Sequence, residues 1–241
     1  MTSSLDPYAR QRGLTGFGEP GQEALSHSSV VVVGAGGLGC PASQYLAAAG
    51  VGRLTLIDDD HVSVTNLHRQ LLFTPEDVGR PKVDAAAQAL VRQSPHCDVV
   101  AIRARLTSDN ADALLHGADV VVDATDTMPV RRLIEAAAHR AGIPVVWGAV
   151  QGWHGQVTVF GAGHRLDDVF PGPDALDLET CDGGAVLGTA CGQIGTAMAT
   201  EALKLASGLP SELAGVLSVL DGRSGRWRDV AIAPAPQGAQ S

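Results

Sequence analysis

The sequence contains few of the features that mark membrane, secreted or nucleic-acid-binding proteins. Aromatic residues account for only 4% of its 241 residues, and its four cysteines form no C-x-x-C pair, so neither a zinc clip nor a disulfide framework is predicted. The net charge is -9, and Lys and Arg form no cluster, which argues against a nucleic-acid partner. No apolar run is long enough to span a bilayer, and the N-terminus lacks the order of a signal peptide. We therefore expect a cytoplasmic protein without a membrane partner.

Strand-like and helix-like segments alternate along the first 150 residues. Five apolar runs are typical of buried strands, and helical patterns separate them: SVVVV, RLTLID, CDVVAIRA, ADVVVDATD and IPVVWGAV. This alternation predicts an α/β fold with a Rossmann-like, mostly parallel sheet and helices on both faces. Beyond residue 150, the runs HGQVTVF, LAGVLSVLDG and GRWRDVAIAP predict a C-terminal antiparallel extension, the last two as a hairpin.

A chain of this length with 45% hydrophobic residues suits one large domain. We divide residues 1–241 into a helical N-terminal arm (1–29), a core (30–150), an extension (151–232) and a tail (233–241) that we expect to be disordered. A helix is predicted from residue 187 to 207, and its glycines predict close packing inside the domain or at a dimer contact.

The first strand leads into a loop with the spacing G-x-G-x-x-G, formed by Gly34, Gly36 and Gly39 with the extra glycine Gly37. Small residues between a strand and a helix let backbone N–H groups approach phosphates, so this loop predicts a nucleotide site. Asp58, Asp59 and Asp60 follow about twenty residues later, and an acid at a strand end commonly binds ribose hydroxyls. Up to this point the pattern fits NAD and ATP equally well.

Three further residues favour nucleotidyl transfer. Arg69 and Lys82 supply cations for a polyphosphate, and Asp126, at the end of the fourth predicted strand, supplies a carboxylate for magnesium. Hydride transfer develops none of the charge that phosphoryl chemistry spreads over oxygen atoms. An NAD-dependent oxidoreductase remains an alternative, but it would leave these three residues without a role.

Several segments together resemble the ThiF/MoeB-type adenylyltransferases (the HesA/MoeB/ThiF family), relatives of the ubiquitin-activating enzymes. The segments are VVVGAGGLGCPASQYLAAAGVGRLTLIDDD, NLHRQ, VGRPK, DATDT and ETCDGGA, and the resemblance extends from YARQ to EALKLASG. It implies an ATP- and Mg²⁺-dependent enzyme that adenylates the C-terminal Gly-Gly carboxylate of a ubiquitin-like sulfur-carrier protein. It also implies a homodimer, a nucleotide-binding core, a carrier-binding extension with a crossover loop, and a separate sulfur donor.

The same resemblance implies a role for each matching residue. The nucleotide loop would consist of Gly34, Gly36, Gly37 and Gly39, and the nucleotide site would also include Asp60 and Gln70. Asp58 would bind ribose, and the phosphates would be contacted by Asn66, Arg69 and Lys82. Asp126 would bind magnesium, Arg10 would reach the neighbouring subunit's ATP, and Cys181 would be a second nucleophile.

The sequence departs from the family in two places. Where many relatives hold zinc with two C-x-x-C pairs, this chain has LDDVFPG and AIAPAPQG, so we predict no zinc. Thr127 stands where the family has Asn. Glu179 and Asp182 flank Cys181, and because nearby carboxylates raise the pKa of a thiol, a covalent role for Cys181 stays open. Adenylation of another carboxylate or of a base, and an inactive binding module, remain alternatives, and the sequence does not identify the pathway.

Overall fold

Eight strands and eight α-helices make up the part of the chain that the computed structural model describes, residues 6–161, 163–172 and 185–233. The strands are β1 (Ser29–Val33), β2 (Arg53–Ile57), β3 (Asp98–Ile102), β4 (Val120–Asp123), β5 (Val145–Gln151), β6 (His154–Phe160), β7 (Val216–Asp221) and β8 (Arg226–Ala231). The helices are α1 (Ala9–Arg12), α2 (Gly18–His27), α3 (Gly39–Ala49), α4 (Lys82–Gln93), α5 (Ala111–Leu115), α6 (Met128–Ala141), α7 (Leu166–Val169) and α8 (Gly188–Ala206). Short 3-10 turns lie at Val64–Asn66 and Pro75–Asp77.

All eight strands form one sheet in the order β3-β2-β1-β4-β5-β6-β7-β8. The first five strands along the chain pair in parallel, whereas β6, β7 and β8 pair antiparallel, the last two as a hairpin. The predicted fold class is therefore confirmed. The order reverses between β1 and β4, which are neighbours in the sheet, and in open α/β sheets ligands bind in the crevice that such a reversal leaves at the carboxyl ends of the strands.

Helices cover both faces of the sheet, as predicted. Successive side chains of β1 point to opposite faces: Val30 and Val32 belong to one core cluster, Val31 and Val33 to the other. The first cluster includes the apolar sides of α3, α4 and α8, and the second includes those of α5 and α6. Burial on both faces explains why β1 is an uninterrupted valine run rather than an alternating one.

Two glycines of α8, Gly188 and Gly195, allow close packing inside the chain. A side chain at Gly195 would overlap Pro41 and approach the carbonyl oxygen of Leu38 to 2.6 Å, and one at Gly188 would overlap the carbonyl oxygen of His68. Gly195 therefore lets α8 lie directly against the start of α3, whereas among the described residues a Cβ at Gly192 would meet nothing within 4 Å. Among the described residues, no helix combines the length and the apolar character that crossing a membrane requires.

The N-terminal arm is fixed at the end of α3 that lies away from the glycine loop. The side-chain amides of Gln11 and Gln22 both donate to the carbonyl oxygen of Ala49, at 2.9 and 3.1 Å. Because α3 begins at Gly39 and runs for 11 residues, its two ends lie about 16 Å apart along the helix axis. Helix α1 therefore lies near the C-terminal end of α3, whereas the nucleotide loop lies at its N-terminal end.

Candidate active site

A cavity of about 730 Å³ lies at the carboxyl ends of β1, β2 and β4, where the strand order reverses. Its lining includes ten of the residues nominated from the sequence: Gly34, Gly36, Gly37, Asp58, Asp60, Asn66, Arg69, Gln70, Lys82 and Asp126. Gly39 and Arg10 are not part of this lining, and Cys181 lies outside the described residues. The fold thus brings together side chains that are up to 92 positions apart in the sequence, from Gly34 to Asp126.

Each of these loop positions requires or tolerates glycine for a different structural reason. Gly34 has a φ of 97°, and a Cβ there would lie 2.7 Å from the carbonyl oxygen of Ala124, so it lets the loop cross the end of β4. A Cβ on Gly39 would overlap the carbonyl oxygen of Gly34. By contrast, among the described residues a Cβ on Gly36 would meet only the amide nitrogen of Gln70, at 3.8 Å, and Gly36 lines the cavity.

Asp58 ties the glycine loop to the end of β2. One of its carboxylate oxygens accepts a hydrogen bond from the backbone N–H of Ala35 at 2.7 Å, and the other accepts from that of Asp60 at 2.8 Å. Each oxygen keeps a further acceptor site, because a carboxylate has about four, and Asp58 lines the cavity. The carboxylate can therefore accept from ribose hydroxyls while it holds the loop.

Lys82 is a buried cation with an exposed partner. Its Nζ lies 2.8 Å from Oδ2 of Asp60, and the exposed fraction is 8% for the Lys82 side chain but 69% for that of Asp60. The backbone N–H of Lys82 also donates to the carbonyl oxygen of Asp60, at 2.9 Å. Burial strengthens the attraction of the ammonium group for an anion in the cavity, since little water screens it.

A tight turn presents Asn66, Arg69 and Gln70 together. The carbonyl oxygen of Asn66 accepts from the backbone N–H groups of Arg69 and Gln70, both at 3.0 Å. The guanidinium of Arg69 donates to the carbonyl oxygen of Thr65 at 3.1 Å and lies 3.0 Å from Nε2 of His68. Gln70 is only 3% exposed, and within the described part of the chain its Oε1 has no hydrogen-bond partner. A buried amide oxygen without a partner in the wall of a cavity is suited to a ligand donor.

Asp126 follows β4 in a turn rather than at the end of the strand. Strand β4 ends at Asp123, whose Oδ1 accepts from the backbone N–H of Thr125 at 3.0 Å and from its hydroxyl at 2.6 Å. The fourth strand therefore ends three residues earlier than predicted, because Asp123 caps the turn that follows it. Burial raises the pKa of Asp123, and the positive charge of Arg131 opposes that increase.

Asp123 and Arg131 were not identified from the sequence. Both are buried, and Arg131 also lines the cavity. The spacing Asp-x-Thr after a strand is a local signal for the turn at Asp123. Arg131 lies inside a helix among other basic residues, where only the folded position of α6 distinguishes it from a surface cation.

The carboxylates of the cavity are chemically suited to magnesium. Oxygen is the ligand atom that Mg²⁺ prefers, and the ion is usually held by one or two carboxylates together with substrate phosphates. Asp126 is an exposed carboxylate in the cavity lining, and oxygen atoms of Asp58, Asp59 and Asp60 all lie within 4.8 Å of one another. The donor set therefore fits the metal that the sequence predicts.

The cysteines that the structure describes are buried thiols. Burial raises the pKa of Cys40 to about 12 and that of Cys97 and Cys191 to about 11. Cys191 lines the cavity beside Gly37, yet its raised pKa keeps it protonated at neutral pH. All three cysteines belong to the first core cluster.

Comparison with known proteins gives a consistent family. The ThiF family model matches residues 8–240. A sulfur carrier protein adenylyltransferase of Thermus thermophilus is 43% identical, and the match covers 97% of this chain and 89% of that protein. The adenylyltransferase and sulfurtransferase MOCS3 of Drosophila yakuba is 43% identical over 93% of this chain, but the chain spans only 50% of that longer protein. The crystal structure of E. coli MccB with ATP superposes with a TM-score of 0.84 over 98% of this chain and 74% of that one, at 18% identity, which shows a common fold.

Proposed function

Since the chain belongs to the ThiF family, we propose that it uses ATP to adenylate the C-terminal Gly-Gly carboxylate of a ubiquitin-like sulfur-carrier protein. One observation carries the proposal: three of the loop glycines line one cavity with Asp58, Arg69, Lys82 and Asp126, at the reversal of the strand order. The printed name of the Thermus thermophilus relative, which is similar over nearly its full length, supports the same substrate.

The proposed chemistry is attack by the carrier's carboxylate on the α-phosphorus of ATP. A new phosphorus–oxygen bond forms, the bond to the bridging oxygen breaks, and pyrophosphate leaves with its electron pair. Because both reactants are anions, the rate depends on holding them in line and on neutralising the charge that grows on the phosphate oxygens. Arg69 and Lys82 supply that charge, Asp58 holds the ribose, and Gly36 and Gly37 let the nucleotide approach the backbone.

Magnesium is the proposed cofactor. Asp126 would hold it in the cavity, and when bound the ion neutralises charge on the phosphate oxygens. Asn66, Asp60 and Gln70 complete the proposed nucleotide site. Lys82 would exchange its ion pair with the exposed Asp60 for contact with a phosphate, an exchange that leaves Asp60 in water.

A homodimer would complete the site. Arg10 is exposed on α1, and the neighbouring Gln11 anchors that helix at the end of α3 remote from the glycine loop. Arg10 therefore cannot serve the cavity of its own chain, and we assign it to the ATP of the partner subunit. The extension after residue 151 is the proposed carrier-binding region, and Cys181 is the proposed second nucleophile. The proposed sulfur donor is a separate protein.

The test is Mg²⁺-dependent exchange of pyrophosphate into ATP, measured with a panel of Gly-Gly-ended carrier proteins and, in parallel, with small carboxylates. We expect exchange with at least one carrier, and none when that carrier lacks its last glycine. Exchange with a small carboxylate alone would reassign the substrate. ATP binding without any exchange would contradict adenylation and favour a binding module.

A further inference from the structure

We propose that Arg131 is a positioning residue that fixes the turn carrying Asp126 and thereby sets the affinity for metal-bound ATP. The inference rests on the proposed function in one respect, the assignment of Asp126 to magnesium. It concerns a residue that does not itself touch the reacting atoms, and it makes a prediction about binding that does not require turnover.

Arg131 contacts the backbone immediately before Asp126. Its Nε and Nη2 both donate to the carbonyl oxygen of Thr125, at 3.2 and 2.7 Å. That carbonyl belongs to the peptide unit that joins Thr125 to Asp126, so the paired bonds restrict rotation of that unit. The direction in which the Asp126 side chain leaves the turn follows from the orientation of the same peptide unit.

The other side of the turn is fixed by Asp123 and the glycine loop. Asp123 holds the N–H and the hydroxyl of Thr125 through the two hydrogen bonds described above. The N–H of Ala124 donates to the carbonyl oxygen of Val33 at 2.9 Å, and Gly34 packs against the carbonyl of Ala124. Each residue between Asp123 and Asp126 is therefore restrained, and Arg131 supplies the restraint nearest to the proposed metal ligand.

Arg131 is itself held in one orientation. It is 3% exposed, and its guanidinium carbon lies 5.0 Å from the centroid of the Trp147 ring. Trp147 is buried and packs against Phe160 and Phe170. The opposite charge of the buried Asp123 offsets the cost of burying the guanidinium. A planar group that stacks on an aromatic face and donates two bonds has no equivalent in lysine, which offers a point charge.

The next residue on the same helix provides a matched control. Arg132 also binds carbonyl oxygens, those of Phe170 at 2.9 Å and Gly172 at 2.6 Å, and it pairs with Asp167. Neither Arg132 nor these partners lines the cavity. Loss of Arg132 should reduce stability without changing how the protein distinguishes metal-bound from metal-free ATP.

The experiment compares equilibrium binding of Mn²⁺–ATP with that of ATP in the presence of a chelator, by calorimetry on the full chain. Thermal unfolding of each variant is recorded alongside. The variants are Arg131→Lys, Arg131→Gln, Arg132→Gln, and Asp126→Asn as the reference for loss of the ligand itself. Thr125→Val provides a second route, because it removes only the 2.6 Å hydroxyl bond to Asp123 and leaves α6 intact.

We expect both Arg131 variants to lose about tenfold or more in affinity for Mn²⁺–ATP, as for loss of a group that orients a metal ligand, with less than about twofold change for metal-free ATP. Arg132→Gln should lower the unfolding temperature alone, and Thr125→Val should shift the metal preference in the same direction as the Arg131 variants. Parallel losses for both forms of ATP, or no metal preference in the wild type, would overturn the inference. If the Arg131 variants do not fold, an unchanged Thr125→Val would overturn it as well.

Failure of the proposed function has a different signature. A protein that binds Mn²⁺–ATP with the expected dependence on Arg131, yet shows no pyrophosphate exchange with any carrier, would retain the positioning role and lose the proposed reaction.

Discussion

Arg69 contacts the protein through weak, exposed partners, which leaves its guanidinium available to a ligand. It donates to one carbonyl oxygen and one imidazole, and both contacts are exposed. We expect Arg69→Ala to slow pyrophosphate exchange by about 10²-fold, the usual loss for one preorganised partner of a developing charge, with little change in thermal stability.

The control for Arg69 is Arg103→Ala. Arg103 is an exposed arginine that pairs with Asp84 and does not line the cavity. It should leave exchange kinetics within about twofold of the wild type, since a surface ion pair contributes little. Unchanged exchange in Arg69→Ala would remove this residue from the proposed mechanism.

At the scale of elements, two glycines of the loop are required for different reasons: Gly39 for packing and Gly36 for nucleotide binding. Gly39→Ala places a methyl group onto the backbone of Gly34, where no side chain can yield, and should lower the free energy of unfolding by roughly 2–4 kcal/mol. In the part of the chain that the structure describes, the methyl group of Gly36→Ala meets nothing closer than 3.8 Å, so the variant should fold normally and lose about tenfold or more in ATP affinity.

Chemical denaturation and nucleotide titration of the two alanine variants measure these effects separately. If both substitutions destabilised the protein equally, the assignment of Gly36 to the ligand side of the loop would be wrong.

The turn that precedes α4 depends on an ionised Asp77. Its Oδ2 accepts from the backbone N–H of Thr74 at 2.9 Å and from its hydroxyl at 3.0 Å, and its Oδ1 lies 2.5 Å from Arg80. The hydrogen bond from the Thr74 backbone is the main cause that lowers the pKa of Asp77 in the folded protein. Because the folded state favours the ionised form, the stability it contributes is present above the unfolded pKa of about 3.9 and is lost as the pH falls through the lower folded value.

We therefore expect Asp77→Asn to reduce the free energy of unfolding by roughly 0.5–1 kcal/mol at pH 7, a modest amount because the turn lies near solvent. The difference from wild type should disappear once the pH has fallen below the lowered pKa of Asp77 in the folded protein. Denaturant unfolding at a series of pH values measures it, with Asp112→Asn, which removes an exposed pair with Arg140, as a control expected to change little. A difference that persisted at low pH would indicate that packing, rather than charge, accounts for the effect.

Elements were predictable from the sequence where burial on both faces imposes a local pattern. The valine run of β1, the glycine loop and the acids at the end of β2 each carry their signal within a few residues, and the parallel order of the strands then predicts that their carboxyl ends meet. Residues whose function depends on distant neighbours carry no such signal. Arg131 matters because α6 places it beneath the Asp126 turn and over Trp147, and neither contact follows from its own segment.

At the scale of the whole molecule, the proposed dimer follows from the location of the N-terminal arm. The glycine loop and helix α1 lie at opposite ends of α3, and the hydrogen bonds from Gln11 and Gln22 to Ala49 hold the arm there. A catalytic role for Arg10 therefore requires a second chain. In a symmetric dimer each chain would give its Arg10 to the partner's cavity and receive one in return.

Complementation between two inactive variants tests this arrangement. Arg10→Ala and Lys82→Ala should each be nearly inactive alone. In a mixed dimer, the Arg10→Ala chain keeps its own Lys82 and receives Arg10 from its partner, so one of the two cavities is complete.

Random reassociation of subunits in an equal mixture makes half of the dimers mixed, and about a quarter of the wild-type rate of pyrophosphate exchange should return. A mixture of Lys82→Ala with Arg69→Ala should recover nothing, because both of those side chains line the cavity of their own chain. Equal behaviour of the two mixtures would show that Arg10 does not act across a subunit boundary.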